Sequence, residues 1–300
     1  MICGCFILIL SRFRQAVTIP VMVQPDTPRN SSLVPRPSVF EEAEACLRAP
    51  DPDTKLQLTR EVSAAWRAGA LSCEFGSEAV GLSEPGRPAR PELVAPRDLP
   101  ARSTASEVGR AALIHSICHI EFNAINLAWD AVYRFRDLPE AYYTDWIKVA
   151  REEAYHFSLL RAHLRHLGYD YGDFPAHNGL WEMCLQTAHD PLVRMALVPR
   201  VLEARGLDVT PGIMYKLEQS EDANAVDLLR IIQRDEVGHV AIGTRWFRYL
   251  CEQRSLAPEA TFRELFNQYM PGGGRGPLDR ASRLQAGFTE AELDYIEGAG

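Results

Sequence analysis

The sequence predicts an all-α protein: a four-helix bundle with a long crossover between its second and third helices, preceded by N-terminal helices and a proline-rich strap. Three observations support this prediction. From Thr104 onward, helix-capping residues alternate with long amphipathic stretches. The chain shows no alternation of strand and helix patterns, and no period-2 run is long enough to indicate a sheet. The predicted second and fourth helices each carry an E-x-x-H motif on an apolar face.

Residues 1–37 are predicted to form a flexible N-terminal extension. The run from Met1 to Leu10 is apolar, but a helix needs about 20 apolar residues to span a bilayer. Positive charge follows this run, whereas a secretory signal carries it in front. We therefore expect residues 1–21 to be an upstream extension of a protein that starts at Met22. A weak membrane anchor is the alternative.

Residues 38–104 are predicted to hold two helices and the strap. Ser38-Val-Phe-Glu41 is a capping box, which predicts a helix through about Ala49. A second helix is expected from near Thr54 to near Ala68. Prolines recur through residues 76–104, a stretch too long for a bare connection inside a compact domain. We interpret it as an extended strap across the main domain, or as a linker.

Residues 105–253 are predicted to form the bundle itself. The third helix is expected to be interrupted, because Pro199 lies inside it and Gly206 to Pro211 contain further helix breakers. The four bundle helices are expected from the capping box at Thr104–Glu107 to about Arg136, from Asp137–Glu140 to Gly168, from Asp190-Pro191 onward, and from near Asp222 to about Glu252.

The remaining residues, 254–300, are predicted to form a C-terminal helix and a Gly/Arg-rich tail. Arg275, Arg280 and Arg283 in this tail are expected to be solvated. Contact with an anionic substrate near the mouth of the bundle is the alternative for them.

Composition excludes several classes of protein. Lys and Arg total 32 and Asp and Glu total 40, so the formal net charge is −8. General nucleic-acid binding is not expected, because phosphate contacts need an excess of Lys and Arg. The seven cysteines are odd in number and form no C-x-x-C pair, which argues against a disulfide framework or a thiolate zinc site. This cysteine usage favours a reducing cytoplasm, and no membrane association is predicted.

Two short motifs indicate chemistry: Glu153-Ala-Tyr-His156 and Glu236-Val-Gly-His239. Residues three apart on a helix lie on one face, and the neighbours on these faces are apolar. Each carboxylate therefore points into the core, where an unpaired charge is costly. Bound metal would compensate that cost. A carboxylate-rich site with one imidazole per ion suits iron or manganese better than zinc.

Helices one and three offer two further core-facing carboxylates, Glu121 and Glu203. Glu121 and Glu153 each lie 16 residues from the turn between their helices, whereas Glu203 and Glu236 lie 17 and 16 residues from theirs. Because antiparallel helices rise equally, by about 1.5 Å per residue, all four are expected at one level. A single E-x-x-H is common on solvated helices. Two of them, preceded by a glutamate at intervals of 32 and 33 residues, are specific.

This arrangement resembles ferritin-like di-iron carboxylate proteins, in which one Glu from each of two helices and E-x-x-H from the other two hold a metal pair. More narrowly, the chain resembles the family of unknown function DUF455. The resemblance covers about residues 38–290, and its segments include HIEFNAINLAWDAVYRF, REEAYHFSLL, LEARGLDVTP and RDEVGHVAIGTRWF. It implies two iron ions, with manganese as the alternative. The implied ligands are Glu121, Glu153, His156, Glu203, Glu236 and His239.

The resemblance also implies roles within this ligand set. Glu153 and Glu236 would bridge the two ions, and Glu121 and Glu203 would be terminal ligands. Two neighbours are candidates for support, because Asp235 precedes Glu236 and Glu152 precedes Glu153. A carboxylate beside a ligand can accept the second ring N–H of a coordinating histidine. A solvated charge near Arg151 explains Glu152 equally well.

The function implied by the resemblance is an oxidoreductase that activates O2 to hydroxylate or desaturate an organic substrate. The expected substrate is a small molecule or a modified nucleoside, by analogy with a ferritin-like hydroxylase that acts on a prenylated adenosine in tRNA. An external electron donor is required, and a homodimer is an open option. The alternatives are an iron-binding ferroxidase or storage protein and a dimanganese catalase-like protein.

Overall fold

The computed structural model describes residues 36–74, 79–99, 103–270 and 276–298. These residues form helices and contain no β-strand, so the all-α prediction is confirmed. The chain divides into Met1–Pro35 and Arg36–Gly300, and the second unit holds all the described helices. The predicted extension at residues 1–37 lies outside the described residues except for its last two positions.

Eleven α-helices make up most of the described chain. A π-helical segment, Val198–Glu203, joins α6 to α7, and a short 3-10 turn forms at Pro96–Asp98. The α-helices are α1 (Val39–Arg48), α2 (Pro52–Arg67), α3 (Glu107–Arg134), α4 (Glu140–His166), α5 (Gly179–Gln186), α6 (Pro191–Leu197), α7 (Ala204–Glu218), α8 (Ala223–Gln253), α9 (Pro258–Tyr269), α10 (Arg280–Gln285) and α11 (Glu290–Gly298). None of the described helices has both the length and the apolar character that crossing a bilayer requires.

Side-chain caps fix where several helices begin. Ser38, Asp190 and Asp222 accept backbone N–H groups at the starts of α1, α6 and α8, where the sequence predicts these helices to begin, although Ser38 accepts from Phe40 rather than from Glu41 as the predicted capping box requires. The cap of α3 is Ser106, whose hydroxyl accepts the N–H of Gly109 at 3.1 Å. The prediction of Thr104 as the cap was therefore wrong by two residues.

The long helices pack as two antiparallel pairs. α3 lies along α4, and the segment formed by α6, the π segment and α7 lies along α8. α4 also contacts α8, which joins the pairs, while α1 packs on α3 and α2 on α4. Large side chains such as Trp129, Trp146 and Phe247 are buried between these helices. Burying each of them contributes about 1.5–3 kcal/mol, so packing rather than helix propensity stabilises the assembly.

The third long helix is interrupted at the π segment, which contains Pro199 as predicted, whereas the further break predicted at Gly206 to Pro211 was wrong. Pro199 has no N–H to donate to the carbonyl four residues earlier, and the wider π turn accommodates that loss. α7 then runs without a break and contains Pro211. α8 approaches the π segment closely, since a Cβ placed on Gly243 would lie 2.3 Å from Cβ and Cγ of Pro199.

Residues 79–99 follow an extended path over the helices. The N–H of Gly86 donates to the carbonyl of Leu47 at the end of α1, at 2.7 Å. The indole of Trp181 in α5 donates to the carbonyl of Ser83 at 2.9 Å. The N–H of Val94 donates to the crossover between α4 and α6. This segment therefore ties α1 to the crossover.

The C-terminal region contains three helices, α9 to α11, rather than one helix and a tail. Arg283 is buried in an ion pair with Asp208 of α7, so the expectation that it is solvated was wrong. Arg280 pairs with acidic residues of α11, including Glu297 at 2.6 Å. Arg275 lies outside the described residues.

The close approach of α8 to the π segment generates a stability prediction. We expect Gly243→Ala to destabilise the protein by about 1–3 kcal/mol, because the new methyl group collides with the Pro199 ring. Gly212→Ala in α7 is the matched control, since a Cβ there meets nothing within 4 Å and alanine favours the helix. Thermal denaturation followed by circular dichroism measures both. Equal melting temperatures for the two variants would contradict the close approach.

Candidate metal centre

Four carboxylates and two imidazoles meet near the middle of the long helices. α3 contributes one of them, α4 two, the π segment one and α8 two. In that order they are Glu121, then Glu153 and His156, then Glu203, then Glu236 and His239. Four of them, Glu121, Glu153, His156 and Glu236, offer ligand atoms that all lie within 4.8 Å of one another. The sequence motifs thus converge in space.

The inner nitrogens of both histidines face the carboxylates. His156 Nδ1 lies 3.2 Å from Glu121 Oε2 and 3.5 Å from Glu153 Oε2. His239 Nδ1 lies 2.9 Å from Glu153 Oε1 and 3.5 Å from Glu236 Oε1. Glu153 therefore presents one oxygen to each histidine. Atoms that bind one ion at about 2.1 Å lie about 3 Å apart, so these spacings fit two adjacent metal positions.

The outer nitrogens of the histidines are held by carboxylates from the opposite helix. His156 Nε2 on α4 lies 3.2 Å from Asp235 Oδ2 on α8, and His239 Nε2 on α8 lies 3.1 Å from Glu152 Oε2 on α4. A carboxylate at Nε2 keeps the proton on that nitrogen and leaves the Nδ1 lone pair free for a metal. Salt bridges from Lys148 and Arg234 hold the two carboxylates in turn.

Several polar atoms at the centre have no hydrogen bond among the described residues. Both oxygens of Glu153 are buried and unsatisfied, as are Glu203 Oε2 and His239 Nδ1. His239 Nδ1 is near Glu153 Oε1, but the orientation of the two groups does not form a hydrogen bond. Leaving such groups buried without partners is costly. These buried groups therefore satisfy bound cations better than they satisfy one another.

Burial and crowding shift the proton affinities of the cluster. Burial and the charge of Glu153 raise the pKa of Glu121 well above its usual range. Burial and Glu236 do the same to the pKa of Glu203. Burial lowers the pKa of His156, but Glu121 and Glu153 outweigh it and raise that pKa to about 11. Without metal the cluster therefore retains protons, and metal binding must release them.

Glu203 holds a different position from the other carboxylates. It ends the π segment, and it lies outside the group of four whose ligand atoms approach within 4.8 Å. Glu203 nevertheless lines the same cavity as Glu121 and Glu236, and the charge of Glu236 adds to burial in raising its pKa. A π turn at a candidate ligand is consistent with the frequent occurrence of π-bulges at functional sites.

A cavity of about 260 Å³ reaches the cluster from one side. Glu121, Glu203 and Glu236 line it together with mostly apolar side chains of α3, α7 and α8. Its apolar wall includes Ile117, Ile120, Ala124, Leu127, Leu180, Leu202, Val209, Ile213, Leu229 and Ile232. Sequence reasoning missed the α7 part of this wall, because it predicted a break between Gly206 and Pro211. The spacing of Gly206, Val209 and Ile213 is the helical signal that could have revealed it.

Comparison with known proteins identifies the family. The family described as "Protein of unknown function (DUF455)" matches residues 48–294. The chain belongs to the DUF455 family. It is also similar to a protein of Haemophilus influenzae named "Uncharacterized protein", with 54% identity over 216 residues, which cover 70% of this chain and 75% of that protein. No solved structure matches the chain. All six proposed ligands lie inside the range that the DUF455 family matches.

The carboxylates behind the histidines generate a prediction. We expect Asp235→Asn to weaken Mn²⁺ binding by about 10- to 100-fold, because the amide no longer fixes the tautomer and orientation of His156. Isothermal titration calorimetry on the full chain measures the affinity. Asp227→Asn is the matched control, since this side chain is 69% exposed on the same helix. An unchanged dissociation constant for Asp235→Asn would show that His156 does not bind the ion through Nδ1.

Proposed function

We propose that this DUF455 protein is a ferritin-like oxidoreductase that uses two iron ions to activate O2 and to hydroxylate or desaturate an organic substrate. One observation carries the proposal: Glu153 offers one oxygen to each of two histidine Nδ1 atoms. Both outer nitrogens of these histidines are held by carboxylates. Together with Glu121, Glu203 and Glu236, these contacts support the di-metal pattern of ferritin-like carboxylate bundles.

The packing of the helices supports the ferritin-like part of the proposal. The pair α3 and α4 and the pair formed by α6–α7 with α8 each supply a glutamate followed by E-x-x-H. Residues 167–190, which include α5, connect α4 to α6. This long connection corresponds to the crossover between the second and third helices of a ferritin-like four-helix bundle. α1, α2 and the extended segment then cover one side of that bundle.

The donor set supports iron or manganese. Four carboxylates are hard oxygen ligands, and two imidazoles add one nitrogen for each ion. Glu121 and His156 would serve one ion, Glu203 and His239 the other, and Glu153 and Glu236 both. When bound, the ions supply the reaction with O2 that no side chain can perform. The described cysteines are free, which supports a reducing, cytoplasmic location.

The chain itself contributes a dry, shaped approach to the carboxylates. The apolar cavity would hold a C–H group of the substrate beside Glu121 and Glu236 and exclude bulk water there. For hydroxylation, one oxygen atom of O2 enters the C–H bond and the other leaves as water. That balance takes two electrons and two protons from an external donor, either a small molecule or a reduced electron-carrier protein.

Iron storage and peroxide dismutation are the rival functions of the same ligand set. A storage site needs a path for hydrated ions, whereas this cavity is lined mainly by aliphatic side chains. α1 and α2 also cover α3 and α4, which occupies surface that a storage cage would need for packing. The cavity therefore favours an organic substrate.

Reaction with O2 tests the proposal. The protein is first loaded with about two Fe(II) per chain in the absence of O2 and is then exposed to O2. We expect it to consume O2 rapidly and to develop near-ultraviolet ferric absorption. With a reductant present, we expect repeated turnover. His239→Ala should weaken one ion more than the other, because each histidine serves one metal. His166→Ala, at an exposed position near the end of α4, is the control.

Three outcomes would overturn this proposal. Fe(II)-loaded protein that is inert to O2 would exclude the oxygenase. Growth of a large mineral core during repeated iron addition would favour storage. Rapid disproportionation of H2O2 by the manganese form, with no reaction of the iron form, would favour a catalase-like function.

A further inference from the structure

Two stripes of residues from the π segment and α7 line the cavity beside the carboxylates. Glu203, Gly206, Thr210 and Ile213 recur at helical spacing and form the inner stripe. Leu202, Arg205 and Val209 form the next stripe outward. Val209 is 37% exposed and Ile120 of α3 is 45% exposed, so apolar side chains continue to the surface at the mouth.

Arg205 is a weakly engaged cation at this mouth. Its side chain is 39% exposed, and Nη1 lies 3.3 Å from both Asp208 Oδ2 and the carbonyl of Pro277. Asp208 already receives two shorter bonds from Arg283, at 2.8 and 2.7 Å, and a third from the N–H of Asp279 at 2.9 Å. The Asp208 carboxylate therefore accepts three shorter hydrogen bonds from groups other than Arg205.

Arg205 also belongs to a charged group, with Arg200, Asp208 and Arg283, that lines a neighbouring cavity. Two guanidinium groups, those of Arg205 and Arg283, share the single carboxylate of Asp208. Arg283 is committed by its bidentate geometry, which is the strong form of such a pair. Arg205 is left with donor capacity, and it is the only Arg or Lys among the described residues that line the cavity beside the carboxylates.

We infer that the cavity binds an amphipathic monoanion: an unbranched or lightly branched apolar chain enters toward the carboxylates, and its anionic head group pairs with Arg205. A volume of about 260 Å³ lies just below the range of about 300–1,000 Å³ typical of drug-sized ligands, so a chain fits better than a multi-ring molecule. This ligand would be the substrate of the proposed oxygenase, so the inference rests on the proposed function.

Binding of eight-carbon probes tests the inference without any turnover. The probes are octanoate, octanol and octylammonium, titrated calorimetrically into the full chain in its metal-free and Mn²⁺-loaded forms. We expect one site per chain that binds octanoate most tightly and octylammonium least. Arg205→Gln should weaken octanoate binding by roughly tenfold and leave octanol unchanged, because it removes one charge-assisted contact.

Two further variants separate the site from non-specific adsorption. Ile213→Phe should abolish binding of both octanoate and octanol, since the larger ring fills the cavity at a half-buried position. Arg230→Gln should change nothing, because Arg230 is 59% exposed on α8 and pairs with Glu218 and Asp227 outside the cavity. Circular dichroism confirms that each variant is folded.

The binding results separate a failure of this inference from a failure of the proposed function. Equal affinity for octanoate and octylammonium, or an unchanged octanoate affinity in Arg205→Gln, would overturn the inference. Octanoate or octanol binding that persists in Ile213→Phe would place the apolar chain of the ligand outside this cavity. That result would also overturn the inference. Failure of Mn²⁺ or iron to bind would instead count against the proposed function, since the preference among the probes is measured on metal-free protein as well.

Discussion

Four carboxylates gathered inside a helical core impose the constraint on which the rest of this structure depends. Removing ions from water costs several kcal/mol each even after the surroundings relax, and four like charges repel one another as well. Two histidines offset part of this cost, and retained protons offset more, as the raised pKa of Glu121 shows. Two divalent cations would balance the four charges in full and leave both imidazoles neutral.

The fold holds this cluster through contacts between several helices. Each ligand lies in the middle of a long helix or at the end of the π segment, far from fraying ends. Carboxylates from opposite helices hold the two histidine rings, so α4 and α8 fix each other's ligands. The π segment widens the helix just before Glu203, and Gly243 lets α8 approach Pro199 there. Backbone irregularity is thus concentrated where a ligand and the cavity wall meet.

Much of this arrangement could be predicted from the sequence, because helical periodicity and equal rise per residue are local rules. They indicated the long helices and placed Glu121, Glu153 and Glu236 at one level. Local rules failed where tertiary packing decides. Gly206 and Pro211 are helix breakers in isolation, yet α7 stays helical because Leu207 is buried against the core. The crosswise pairing of Asp235 with His156 depends on how two helices meet, which no spacing within one helix encodes. Arg283 is buried for a similar reason, since its partner Asp208 lies 75 residues earlier.

The proposed function requires two metal ions beside Glu153 and Glu236. Anomalous diffraction at the iron edge, from crystals of protein whose iron content has been established by elemental analysis, would locate these ions. We expect two peaks about 3.5–4 Å apart, one beside Nδ1 of His156 and one beside Nδ1 of His239, with Glu153 next to both. A single peak away from these residues, or iron bound only at surface histidines, would contradict it.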